Sequence, residues 1–443
     1  MRHLALIVLA APVFAQDALS LRDAVRLALR GNPALAAAAA AEKASGSRVT
    51  QARSGVLPKI NYSETFTRSN NPVFVFSSLL TQHQFGTDNF NIGLLNRPDP
   101  LNNFQSQLSV DQVLYDAGQT RTAVQAANIS RQAVGEEGRR TGMHVTAAVT
   151  RAYWDSLLAA ENLKAAGQSI RSAQADLIRA ESVRAAGMST EADVLSIRVH
   201  LAAMTEQRIQ RAGELDVARA ALNDALGEPL DASHTLTSTL TPLDLPDLQL
   251  EALEREASSA RPETRGSRFV HDLARTESAA ARSALLPQVT FHAALEANRR
   301  QFVNRGGANW LASIGMHWNL FNGNADKARI EETARLVERA GADQKRVESA
   351  VRLEVRRAWA GLRAAEQRIE VARAAQAEAE ESLRITQNRY AAGMSNVTDL
   401  LRNETAVLES RTRYLSAVHD QRVTAAMLEL AAGRLNADSE VLN

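Results

Sequence analysis

Cysteine is absent from the 443-residue chain, which excludes disulfides and any lipid anchor built on a cysteine behind an export signal. Aromatic residues are scarce, at 5%, while long stretches consist of Ala, Glu, Arg, Leu and Gln. That mixture argues against ordinary globules and for long helices and coiled coils. Neither sign of charge dominates. The 51 basic and 50 acidic side chains leave a net charge of +1, so no nucleic-acid partner is indicated. Beyond the N-terminus no run of about 18 apolar residues occurs, so no membrane-spanning helix is expected and any bilayer crossing must use strands. Catalytic signatures are missing as well. The nine histidines are scattered with no His-Glu-x-x-His, and neither Gly-x-x-x-x-Gly-Lys nor Gly-x-Ser-x-Gly occurs. No enzyme, cofactor or metal site is expected.

What is present begins with an export signal over residues 1–15. Arg2 and His3 precede an apolar stretch, residues 4–11, and Val13-Phe14-Ala15 suits cleavage before Gln16. A buried N-terminal helix is the alternative.

The remainder is written twice. Ser54-Gly55-Val56-Leu57-Pro58 returns as Ser283-Ala284-Leu285-Leu286-Pro287, and Leu114-Tyr115-Asp116 as Leu320-Phe321-Asn322. Trp154 returns as Trp359, and Ala185-Ala186-Gly187-Met188-Ser189 as Ala391-Ala392-Gly393-Met394-Ser395. The offset is 229 at the prolines but 206 at the Gly-Met-Ser turns, so the first half carries 23 extra residues between Pro58 and Leu114. Residues 70–104, rich in Asn, Pro and Phe, hold that insertion and read as a surface loop. The first repeat is placed at 16–226, an irregular connector at 227–250, the second repeat at 251–433 and a tail at 434–443.

Each repeat contains a helix too long for a globule. Val145, Ala152, Ala159, Ala166, Ala173 and Ala180 are seven apart, and a second seam of Val149, Ser156, Leu163, Ile170 and Leu177 runs beside them. Adding 206 gives Val351 to Ala379 and Val355 to Leu383. A strict period of seven calls for left-handed supercoiling. Each helix ends at a Gly-Met-Ser turn and a return helix follows, giving helical hairpins over 117–226 and 324–432.

Four segments have period two instead: about 57–67, 105–114, 286–297 and 310–320. Their lengths suit tilted strands in a bilayer. Trp310 and Trp318 fall on one face, roughly 20 Å apart along the membrane normal, as two aromatic girdles would be. His317 is assigned to the opposite, lumenal face. Four strands cannot close a barrel, and an open edge in lipid leaves backbone groups unpaired, so a membrane location demands several copies. Two, three or four copies satisfy that arithmetic. Two amphipathic hairpins on a soluble core are the alternative, which would make the protein a soluble periplasmic coiled-coil scaffold or adaptor.

Leu-Tyr-Asp-Ala-Gly at 114–118, Leu-Phe-Asn-Gly at 320–323 and the duplicated Ala-Ala-Gly-Met-Ser turns resemble the TolC family of outer-membrane efflux proteins, over nearly the whole mature chain. The resemblance implies a mostly α fold with a small β part: a homotrimer whose twelve-stranded transmembrane β-barrel sits in outer-membrane lipid and continues as a twelve-helix periplasmic α-barrel. It implies a passive exit duct, served by an inner-membrane pump through a periplasmic adaptor, in efflux or type I secretion.

It also implies a periplasmic aperture at the helical turns. Tyr390, Gly393 and Asp399 match the family's pattern, but Arg402 stands where the prototype has a second acidic residue, which puts a doubled acidic ring in doubt. An Asp399–Arg402 pair across copies is the alternative. Asp193 is the first-repeat counterpart, with Arg184 in the tyrosine's place. Both aspartates follow a capping residue by three, Thr190 and Asn396, so helix capping is the competing role. Gly187, Met188, Ser189, Gly393, Met394 and Ser395 are the adaptor-docking candidates.

Overall fold

The structure, a computed structural model, describes residues 18–187, 189–244 and 249–442. The expected export signal, residues 1–15, and the docking candidate Met188 lie outside the described residues.

In chain order the elements are β1 (Ala18–Leu19), α1 (Leu21–Gly31), α2 (Pro33–Arg53), β2 (Lys59–Ser69), α3 (Pro72–Thr81), α4 (Ile92–Asn96), β3 (Leu101–Tyr115), α5 (Gln119–Ala185) and α6 (Glu191–Leu226). They continue with β4 (Thr235–Leu236), α7 (Leu250–Ala260), α8 (Pro262–Ser283), β5 (Gln288–Arg299), β6 (Gly307–His317), α9 (Ala325–Ala391) and α10 (Val397–Ala432). Among the described residues no helix is long and apolar enough to cross a membrane. The duplication is visible element by element. α5 and α9 each have 67 residues, and α6 and α10 each have 36. At 1.5 Å per residue the longer pair reach about 100 Å.

Contacts group the chain into two units. The first takes residues up to Ala41, Gly135–Gly266 and the chain from Lys345 onward. Its core gathers Leu21, Val25, Val149, Tyr153, Trp154, Leu226, Leu428 and Leu442. The seams face inward in α5: Val145, Ala159, Ala166, Ala173 and Ala180 are buried, as are Val149 and Ser156. Small alanine side chains at these positions let the helix backbones approach closely. In α9, Val351, Val355, Leu362, Ala365 and Ile369 are buried, and burial fades beyond them.

The return helices end on glycines that only glycine can supply. Gly227 and Gly433 have φ of 81° and 83°, the left-handed region of a helix C-cap. A Cβ on Gly227 would come 2.9 Å from Asn32 Cα, and one on Gly433 2.9 Å from Arg261 N. Each glycine therefore seats against the break between two shorter helices, α1–α2 or α7–α8. At those breaks Asn32 Nδ2 donates to Ala225 O at 2.9 Å, and Arg261 Nη1 donates to Leu430 O at 2.7 Å. Different side chains thus satisfy C-terminal carbonyls of the two return helices, two residues before Gly227 in one repeat and three before Gly433 in the other.

The second unit, Glu42–Val134 and Ser267–Gln344, contains a four-stranded antiparallel sheet in the order β2-β3-β5-β6. β2 and β5 start directly after Pro58 and Pro287, which lack the N–H a ladder needs. β6 starts at Gly307 and ends at His317, so Trp318 lies just past its end. Pairing aligns Tyr62, Leu108, Leu295 and Trp310 in one row, and Ile60, Val110, Ala293 and Ala312 in the next. One face is therefore mainly apolar. The other carries Asn61, Thr65, Gln105, Gln107, Ser109, Asp111, His292, Glu296, Ser313 and His317, which puts His317 on the polar face.

The insertion is more ordered than the surface loop expected from its composition. Asn71 caps α3, accepting from the Val73 and Phe74 N–H groups, and Pro72 occupies the first helical turn. The helix is tied to the sheet. Gln82 Nε2 donates to Asn102 O and Asn103 Oδ1, both at 2.9 Å, and Asn103 Nδ2 donates to Asn298 Oδ1 at 2.8 Å. Asn and Pro marked a loop by composition, but at this spacing they start a helix.

Gly433→Ala should destabilise the protein by more than Gly393→Ala, because only the former meets backbone. The latter, facing open space with φ 72°, should cost about 1–2 kcal/mol. Thermal unfolding in detergent measures the difference, and equal shifts would exclude the seating described above.

Candidate functional site at the helical turns

Both long helices stop on a left-handed glycine. Gly187, with φ 78°, donates its N–H to Arg184 O at 2.8 Å. Gly393, with φ 72°, donates to Tyr390 O at 3.0 Å, and Met394 N donates to Arg389 O at 2.8 Å. Gly187, Gly393 and Met394 are exposed, and Ser189 and Ser395 are half-buried. A docked partner could therefore reach the backbone of both turns and the Met394 side chain.

The two aspartates differ. Asp193 closes a capping box: its N–H donates to Thr190 Oγ1 at 3.2 Å, while Oδ2 accepts from Thr190 N at 3.0 Å and Thr190 Oγ1 at 2.9 Å. Ser189 Oγ adds a further bond at 3.0 Å. These bonds, the Thr190 backbone N–H first, hold its carboxyl below the ordinary carboxylate range. Asn396 caps the second return helix, accepting from Asp399 N at 2.8 Å. The Asp399 carboxylate makes no bond among the described residues and is exposed, as is Arg402, and the two form no ion pair within one chain.

Tyr390 bridges the repeats. It packs against a cluster of Ala180, Val194, Ile197 and Val397, beside Leu177 and Leu401. Its hydroxyl is buried without a hydrogen bond of proper geometry. Burial, then the Asp193 charge, pushes the phenol upward. Tyr390 and Asp193 are therefore brought together, while Asp399 and Arg402 stand apart from them. At the sheet, Trp310 is 80% exposed and Trp318 52%, with Trp318 Nε1 donating to Leu285 O at 3.0 Å.

A polar group near the turns escaped the sequence reading. Asp176 on α5 is 2% exposed and Glu404 on α10 is 7% exposed. Glu404 Oε1 accepts from Ser172 Oγ at 2.8 Å, and His200 Nε2 lies 3.2 Å from Glu404 Oε2. Burial, followed by a hydrogen bond and repulsion from Glu404, raises the Asp176 carboxyl to about 7. The Glu404 carboxyl is itself also penalised by burial but is held low by bonds from His200, Asp176 and Ser172. Spacing carried a signal that went unused. Asp176 lies three beyond Ala173 and four before Ala180, both on the buried seam, and Glu404 sits between buried Leu400 and Leu408.

The model of the outer membrane efflux protein family matches residues 24–228 and 253–434. Protein CyaE of Bordetella pertussis is 26% identical over 433 residues, covering 95% of this chain and 85% of its own length. The outer membrane efflux protein BepC of Brucella suis is 25% identical over 345 residues, covering 75% and 72%. The crystal structure of the Campylobacter jejuni CmeC outer membrane channel superposes with a TM-score of 0.79 at 15% identity, covering 99% of this chain and 96% of that one.

Asp193→Ala should cost about 1 kcal/mol at the start of α6, whereas Asp399→Ala, which leaves the Asn396 cap in place, should cost less than about 0.5 kcal/mol. Hydrogen exchange at the first turns of α6 and α10 reads both, and equal effects would contradict the capping assignment. The Asp193 contribution is complete above the ordinary carboxyl value of 3.8 and is lost as pH falls through its depressed value.

Proposed function

The chain belongs to the outer membrane efflux protein family, and from that premise we propose that it is the exit duct of a tripartite efflux or type I secretion system. The protein is an outer-membrane channel with a periplasmic extension, and its family is one of channels rather than enzymes. In the proposed role it conducts passively and carries out no catalysis, and the inner-membrane pump selects the cargo. After loss of residues 1–15, the repeats at 16–226 and 251–433, joined by 227–250 and followed by the tail at 434–443, act as near-equivalent halves.

One observation carries the reading: a four-stranded sheet with a mainly apolar face whose two outer strands each have a single neighbour among the described residues. Lipid does not tolerate such edges. Three copies joined β2 to β6 would close a twelve-stranded barrel, with Trp310 and Trp318 at the lipid face and His317, Asp111 and His292 toward the lumen. The helices also support shared walls, because Val199, Ile209 and Val217 on α6 stand exposed in a single chain.

The turns would then surround the periplasmic end. Asp399 and Arg402, exposed and unpaired within one chain, are the residues free to face their counterparts from other copies at an aperture. Tyr390 and Asp193 would tie the two hairpins of one copy together. The backbone of Gly187, Met188, Ser189, Gly393, Met394 and Ser395 would dock the adaptor.

The purified protein is expected to require detergent and to run at three times the mass of one mature chain by light scattering, while membranes retain it through a high-salt wash. A detergent-free monomer overturns the reading. Three copies of Asp399 near one axis would attract cations, so Asp399→Ala should weaken cation block of single-channel current. Unchanged block removes Asp399 from the aperture.

A further inference from the structure

Asp176, on α5, and Glu404, on α10, are buried carboxyl groups from different halves of the duplication. The internal symmetry does not require them: at the 206-residue offset Asp176 corresponds to Ser382, and Glu404 to Arg198. Ser172, one turn before Asp176 on α5, donates to Glu404, which sets the two acids on facing helices. Neither Asp176 Oδ2 nor Glu404 Oε2 has a well-aligned hydrogen bond, although His200 Nε2 lies 3.2 Å from the latter. Two buried carboxylates side by side repel strongly and leave acceptors unsatisfied, whereas one proton between them removes a charge and supplies the missing hydrogen bond.

The surroundings favour one retained negative charge over two. Arg179 Nη1 donates to Asp176 Oδ1 at 3.2 Å from the same helix, and is itself partly exposed. From α6, His200 faces Glu404. From α9, Gln387 and the Tyr390 phenol face Asp176, and neither is a cation. On α10, Arg411 is occupied by Gln168 across the gap to α5. A cavity of about 140 Å³ lined by Ser169, Ser172, His200, Met204, Glu404 and Arg411 reaches the Glu404 side of the pair. Its wall is mainly apolar, with Ala165, Leu383, Val407 and Leu408, but Ser172, His200 and Glu404 offer polar partners to a water, which gives a proton a way in and out.

We propose that Asp176 and Glu404 hold one shared proton that fastens α5 to α10 near the turns, so that this packing loosens as the surroundings become alkaline. The direction follows from linkage. A carboxyl with a raised folded value stabilises fully below its ordinary range and loses that contribution as pH rises through about 7. Glu404 acts oppositely and only in acid, so it does not cancel the change near neutrality. The device belongs to the fold and is independent of what the channel conducts.

Hydrogen exchange on the full-length protein in detergent, corrected for intrinsic rates, tests this over residues 170–185 and 400–411. Protection should fall by up to about tenfold per pH unit between pH 5 and 7 and level off above. In Asp176→Asn, whose amide mimics the protonated acid, the profile should be flat. A flat wild-type profile overturns the proposal. So does a slope that survives in Asp176→Asn, which would place the proton on His200. If Asp176→Asn does not fold, Glu404→Gln takes its place: relief of repulsion should end the slope at lower pH, and an unchanged profile counts against the shared proton.

Discussion

Backbone hydrogen bonding at the edges of the four-stranded sheet is the constraint on which the rest depends. β2 and β6 each present an outer row of N–H and C=O groups that pairs with no strand among the described residues. In water such edges are a hazard, and in lipid they are prohibitive. The pairing register puts Tyr62, Leu108, Leu295 and Trp310 in one continuous row, so the sheet has a lipid-compatible face before it has closed edges. In the proposed assembly further copies of the chain would supply the closure, and the duplication would let each copy contribute two similar hairpins.

The duplication is kept in geometry more strictly than in chemistry. Gly227 and Gly433 seat on equivalent helix breaks, yet Asn32 bonds the Ala225 carbonyl in one repeat while Arg261, anchored by Glu263 and Glu354, bonds the Leu430 carbonyl, one position out of register, in the other. Trp154 is buried beneath Arg422, whose guanidinium lies 4.8 Å from the ring centroid, while Trp359 is half-buried beside Arg363. Thr190 builds a capping box with Asp193, but Asn396 leaves the Asp399 carboxylate free. Equivalent backbones thus carry one aspartate committed to structure and one available for interaction. The buried Asp176–Glu404 pair breaks the symmetry further, because neither repeat alone contains both acids.

Period and punctuation determined much of this from sequence alone. A seven-residue alanine spacing, uninterrupted by proline, dictates long helices with one buried seam. Alternation dictates strands, and glycine at 187 and 393 dictates where the helices turn back. Helix α3 inside the 70–104 insertion is not legible from composition because Asn and Pro mark loops, and only their placement at 71 and 72 makes them a helix start. Pairing partners across the chain were decided by tertiary structure, since periodicity within a segment carries no information about its neighbour. Packing likewise brought Tyr390 beside Asp193, left Asp399 in solvent and buried Asp176 against Glu404. A carboxylate's charge state depends on how much water and which donors surround it, and that is settled only when distant helices meet.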